Sequence, residues 1–221
     1  MRSRPLLLTL KSMIERSYGM APLIDDVARY VIGDAGLRHL YGERPRRESS
    51  GRLGARLLVR DGGEPVRAAL YYPDDLVQHL ERFNPLTGIG DVNIDAFAVF
   101  VEELDHLLTL AFRAAQGRPV SLIELEHHAD VTKYLVVLHF LGRQTGRRRL
   151  PEAMRLWVRH HLFGKYAPGD SEQMRYREAA LLAQRYVGYL EGLSIESRHA
   201  ELRNFHRRPF AETCSRLASL N

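Results

Sequence analysis

The sequence predicts a mainly α domain carrying a small β-ribbon, and three observations carry that expectation. Apolar residues recur at helical spacing after residue 73, as in Phe97, Val101, Leu104, Leu108 and Ala111. Two short runs rich in Leu, Val and Tyr, 55–60 and 66–72, flank Asp61-Gly62-Gly63-Glu64-Pro65, which is hairpin grammar. The length of 221 residues, with 45% hydrophobic and 27% charged side chains, suits one domain with a real core and excludes fibrous and wholly disordered chains. We therefore read 1–221 as a single domain with N-terminal helices in 1–41, a ribbon in 55–72, a helical core in 74–141 and C-terminal helices in 150–221.

Each element follows from local signals. Pro5 to Tyr18 and Pro22 to Ile32 read as helices, each with a proline where a helix can begin and a glycine where it can end. Arg2 and Arg4 before Leu6, Leu7, Leu8 and Leu10 resemble a signal peptide, but Lys11 and Glu15 cut the apolar stretch short, so a packed helix is expected. Residues 42–54 are the most disorder-like segment. Two strands alone cannot make a stable sheet, so the ribbon must lean on helices. Asp74 to Phe83 is a short helix and Asn84 to Asn93 a loop. A long helix starts near Asp95 and runs to about Gln116, before the turn Gly117-Arg118-Pro119. Ser121 and Glu124 have capping-box spacing and open a second long helix, expected to reach Leu141 and end at Gly142. A basic loop follows, then helices over Pro151–Phe163 and Ser171–Leu190 separated by a break at 164–170. The last helical stretch is Ile195 to Leu220, interrupted at Pro209.

No window is apolar enough to span a membrane. Cys214 is the only cysteine, so an intramolecular disulfide is impossible, which fits a reducing, cytoplasmic setting. Lys and Arg total 32 against 27 for Asp and Glu, a surplus too mild to force a nucleic-acid reading.

The two central helices carry the most informative residues. Glu102 and His106 are four apart, as are Glu126 and Asp130, so each pair rises from one face of its helix. A turn near residue 118 makes the helices antiparallel, which brings His106 toward Glu126. A carboxylate and an imidazole facing each other there can hold a divalent metal.

This pattern resembles that of the thermolysin-like zinc metallopeptidases, the gluzincins, which carry His-Glu-x-x-His on one helix and Glu-x-x-x-Asp on the next. Glu102-Glu103-Leu104-Asp105-His106 occupies the first motif, and Glu126-His127-His128-Ala129-Asp130 begins twenty residues after His106. Glu102 stands where the family has its first histidine. The resemblance implies Glu103 as general base, Glu102, His106 and Glu126 as metal ligands, and Asp130 as the carboxylate that orients the first ligand. One imidazole and two carboxylates make a harder, more anionic site, so manganese, iron or calcium suit it as well as zinc. With the histidine missing, a scaffold or interaction module built on the motif is the leading expectation, and an active metal-dependent peptidase or amidohydrolase the alternative.

Other readings compete. Glu103-Leu104-Asp105-His106 and Glu124-Leu125-Glu126-His127 both have the Glu-x-x-His spacing of di-iron bundles, but they lie on consecutive helices with no donor for two further glutamates. Glu102, His106, Thr109 and Arg113 also suit a wet helix face, and Glu126, Asp130 and Lys133 a solvated, salt-bridged one. The remaining histidines show no ligand spacing, and no sequence feature nominates a base for Cys214. Two basic patches remain: Arg143, Arg147, Arg148 and Arg149 in the loop, and Arg198, Arg203, His206, Arg207 and Arg208 in the last stretch. Together they suit an acidic protein partner or nucleic acid if they form one continuous face.

Overall fold

In a computed structural model of the chain, residues 4–42, 54–60, 67–164 and 171–219 are described. Helix α1 (Arg4–Tyr18) buries Leu6, Leu7, Leu10, Ile14 and Tyr18, whose three- and four-residue spacing makes one apolar stripe. It ends at Gly19 (φ +63°), where the left-handed turn lets the Met20 amide reach the Glu15 carbonyl at 2.9 Å.

The second expected helix is displaced. Within 22–32 only one 3-10 turn forms, Val27–Tyr30, and Val31–Ile32 is a short strand, β1. The helix comes later, as α2 (Asp34–Tyr41). The β-branched pair is drawn into the ribbon, because Val31 and Ile32 pair in parallel with Leu70 and Tyr71. The ribbon strands are β2 (Arg56–Arg60) and β3 (Arg67–Tyr71), antiparallel, giving a three-stranded sheet of order β1-β3-β2. The disorder-like segment over 43–53, the expected hairpin connection over 61–66 and the expected break over 165–170 lie outside the described residues. Helix α3 (Asp74–Arg82) follows the sheet.

Helices α4 (Ile94–Ala115) and α5 (Leu122–Thr145) form the antiparallel centre of the fold. The sheet leans on α4, with Tyr72 stacked on Phe100 at 4.3 Å between ring centroids and its hydroxyl donating to the Phe100 carbonyl at 2.8 Å. Asn93, not Asp95, precedes α4, and its side chain ties down the preceding loop by donating to Phe83 and Gly88 carbonyls. Ser121 accepts from the Glu124 amide at 3.2 Å as the spacing predicts, but the Glu124 carboxylate pairs with Arg113 across the interface. Helix α5 runs four residues beyond Leu141: Gly142 stays helical and Gly146 (φ +66°) supplies the left-handed stop.

Helices α6 (Glu152–Phe163) and α7 (Ser171–Gly192) cover α5. On α7, Ala179, Ala180 and Ala183 are small and fully packed. Helix α8 (Ile195–Arg207), capped by Ser194, packs against α1, and after Pro209 the chain closes with α9 (Phe210–Ala218). With neighbours on so many sides, α5 buries polar positions as well as Val131, Tyr134 and Val137.

Candidate functional site

The expected wet faces are inside the protein. His106, Thr109 and Arg113 on α4 are buried, as are Glu126, Asp130 and Lys133 on α5. The antiparallel register brings Glu102, His106 and Glu126 together: one ligand atom from each lies within 4.8 Å of the others. The chain thus carries a degenerate candidate metal triad that matches a zincin-type motif with only one histidine.

His106 stands between two carboxylates. Its Nδ1 is 3.6 Å from Glu103 Oε2 and its Nε2 is 3.7 Å from Glu126 Oε2. Both separations exceed a hydrogen bond, and the buried Nε2 has no hydrogen-bond partner. Burial alone would lower the His106 pKa, but Glu103, Glu126 and Glu102 outweigh it and raise it. Burial raises Glu126, with Glu102 and Asp130 adding to the effect while His106 and Lys133 oppose it. The common cause is excess negative charge in a dry place.

Lys133, which suited a solvated or locally salt-bridged face, is salt-bridged and buried at the centre of the cluster. Its Nζ is 2.5 Å from Glu102 Oε2 and 2.7 Å from Asp130 Oδ1. Asp130 therefore reaches Glu102 through an ammonium group. Four carboxylates, Glu102, Glu103, Glu126 and Asp130, thus stand around the Lys133 ammonium and the His106 ring.

A second cluster at the same interface went unseen in the sequence. Asp105, fully buried, accepts from Thr132 Oγ1 at 2.7 Å and stands 2.7 Å from His128 Nδ1. His128 Nε2 is 3.0 Å from His206 Nδ1 on α8, and the Tyr18 hydroxyl meets Thr132 Oγ1 at 2.7 Å. If Nδ1–H of His128 donates to the carboxylate, Nε2 accepts from His206, and the buried Nε2 of His206 is left as a bare lone pair. Burial, with His128, Arg113 and Arg207 adding to it, lowers His206 to about 2, so the His206 ring suits this neutral arrangement. The sequence holds a faint sign in the i, i+4 pair His128 and Thr132, but nothing local announces His206.

His127 is a core histidine packed among Tyr186, Phe205 and Phe210, and burial lowers it to about 3. His161 lies between Asp91 and Asp95 at 3.2 and 3.3 Å. Cys214 is half-buried, and burial raises its thiol pKa.

The basic patches divide. Arg143, Arg147, Arg148 and Arg149 are exposed beside Arg198 and His199 around one cavity. Arg203 and Arg207 are elsewhere: the Arg203 stem runs beside Gly19, and the Arg207 carbonyl accepts from Arg118 Nη1 at 3.0 Å. No helix among the described residues is long and apolar enough to cross a membrane. In comparisons with known proteins, no family model, no curated protein and no solved structure matches this chain.

Proposed function

We propose that the chain is a helical scaffold protein in which a divalent cation, held by Glu102, His106 and Glu126, clamps α4 to α5. The observation that carries this reading is His106 Nε2, buried, without a hydrogen bond, and aimed between carboxylates. A divalent ion there would displace the proton that the carboxylates favour on His106 and put a double positive charge among them. Glu103 lies 3.6 Å away on the Nδ1 side of the ring, where a small approach would let its carboxylate hold the ring for Nε2 ligation, as a metal-bound histidine is commonly held. That position takes Glu103 away from the water-activating role that the zincin resemblance implies. Lys133 fastens Glu102 and Asp130, which further favours a structural clamp over peptide hydrolysis.

The test is elemental analysis and calorimetric titration with zinc and with manganese on protein purified without chelators. Near-stoichiometric metal in the wild type, lost in both His106→Ala and Glu126→Ala, is expected. At a hundredfold excess over Kd the ion should add about 2.7 kcal/mol to stability. Absence of binding in the wild type would overturn the proposal. Metal-dependent cleavage of casein that disappears in Glu103→Gln would replace the scaffold reading with the peptidase one.

A further inference from the structure

Between α1, the C-terminal half of α5 and the start of α8 lies a cavity of about 740 Å³, a size that suits a small-molecule ligand. Six arginines line it: Arg143, Arg147, Arg148, Arg149, Arg155 and Arg198. One carboxylate faces them, Glu191, and it is already engaged by Arg155 at 2.9 Å, Arg159 at 3.0 Å and the Tyr134 hydroxyl. Arg198 donates to the Leu190 and Leu193 carbonyls. Among the described residues, no hydrogen bond or ion pair engages the guanidinium groups of Arg143, Arg147, Arg148 or Arg149. Three arginines outside the cavity are matched, Arg113 by Glu124 and Arg208 and Arg216 by Glu201.

The floor differs from the rim. Met13 and Ile14 of α1 and Leu135, Val136 and Leu138 of α5 present apolar surface, and Ser17, Tyr18 and Thr132 on those helices also line the cavity. Free guanidinium groups above an apolar floor complement an anion with a hydrocarbon body. Guanidinium forks bind phosphate oxygens in pairs, and the body displaces water from the floor. The positive field of Arg143 and Arg16 also reaches His139 on the same wall, where burial and those two charges lower the imidazole pKa.

We infer that this cavity binds a small organic phosphate ester, with the phosphate on Arg147, Arg148 and Arg149 and the apolar portion against Leu135 and Leu138. The concave, apolar floor favours a compact ligand over a nucleic-acid backbone, which carries its charge along an extended strand. This site is separate from the metal cluster: Glu102, His106 and Glu126 do not line the cavity.

Calorimetry with octyl phosphate, inorganic phosphate and a short single-stranded oligonucleotide, at matched ionic strength, tests it. Octyl phosphate should bind at least about tenfold more tightly than inorganic phosphate. The triple change Arg147→Ala, Arg148→Ala and Arg149→Ala should weaken octyl phosphate by about tenfold or more with the circular dichroism unchanged, because these side chains are exposed and hold no partner among the described residues. Leu138→Gln, on the half-buried floor, should weaken octyl phosphate and leave inorganic phosphate unaffected. Equal affinity for the two phosphates, no binding of octyl phosphate, or tighter binding of the oligonucleotide would each overturn the proposal, the last in favour of a nucleic-acid surface.

Discussion

Two polar clusters occupy the interface of α4 and α5, and they are built in opposite ways. Around Asp105 the partners are close: Thr132 and His128 are each 2.7 Å away, and His206 completes the chain at 3.0 Å. Around His106 they stand off, at 3.6 and 3.7 Å, with a ring nitrogen left over. Both clusters are buried, so solvent does not explain the difference. Two rings and one carboxylate can meet one another through hydrogen bonds at close range, whereas carboxylates crowded around one imidazole repel one another and stand off it. The tight cluster holds its carboxylate at hydrogen-bond distance and leaves over only the Nε2 of His206, whereas the loose one leaves Glu103 and Glu126 standing off His106 and has a use for a further cation.

The largest effect that this comparison predicts is on the tight side. Asp105→Ala removes the acceptor of both Thr132 and His128 in a fully buried place. A loss of about 4 kcal/mol is expected in urea unfolding, because the stranded donors keep their desolvation cost. Zinc or manganese should restore none of it. Next comes Lys133→Met, which leaves Glu102 and Asp130 without their shared ammonium. We expect a loss of about 3 kcal/mol in metal-free protein. Here a divalent cation should recover a substantial part, since it supplies charge to Glu102. Equal insensitivity of both variants to metal would erase the distinction between the clusters.

The contrast in what could be read beforehand follows the same line. Glu102 with His106 and Glu126 with Asp130 were legible because helical spacing puts each pair on one face and the 117–119 turn sets the antiparallel register. The Lys133–Asp130 pair was legible from its i, i+3 spacing, but its burial was not, because the charge pattern of α5 suits a solvated face equally and only packing on several sides puts it in the interior. His206 was out of reach, because its approach to His128 spans 78 residues and depends on where α8 docks. Strand β1 has two residues, too few for any alternation to show. Gly142 looked like a helix stop because glycine often is one, yet only Gly146 has the left-handed backbone that ends α5.

His206 sharpens the comparison through pH. Its pKa falls from the usual 6.5 to about 2 because it is buried beside His128, Arg113 and Arg207. Below pH 6.5 the unfolded chain takes up a proton that the folded protein refuses, so the stability that neutral His206 allows is complete above that value and declines as pH falls. The slope assignable to this one group is about 1.4 kcal/mol per pH unit. Urea midpoints at neutral pH and in mild acid should therefore converge more steeply on unfolding for the wild type than for His206→Gln. Parallel pH profiles would mean that the ring accepts a proton in the folded state.

The smallest expected effect is the most informative in sign. Glu126→Gln removes one negative charge from the loose cluster while keeping the shape of the side chain, and no hydrogen bond from His106 is broken, since Glu126 Oε2 stands 3.7 Å from Nε2. In metal-free protein the change should stabilise by about 0.5 kcal/mol or be neutral, because like-charge repulsion among Glu102, Glu126 and Asp130 falls. In the presence of zinc or manganese the order should reverse, since the wild type gains a ligand-bound ion that the amide holds poorly. The crossing of the two unfolding curves is therefore what distinguishes a cation site from an ion-pair network. A loss of several kcal/mol without metal would place Glu126 in the same class as Asp105, a partner already satisfied, and the reason for expecting an ion between α4 and α5 would be gone.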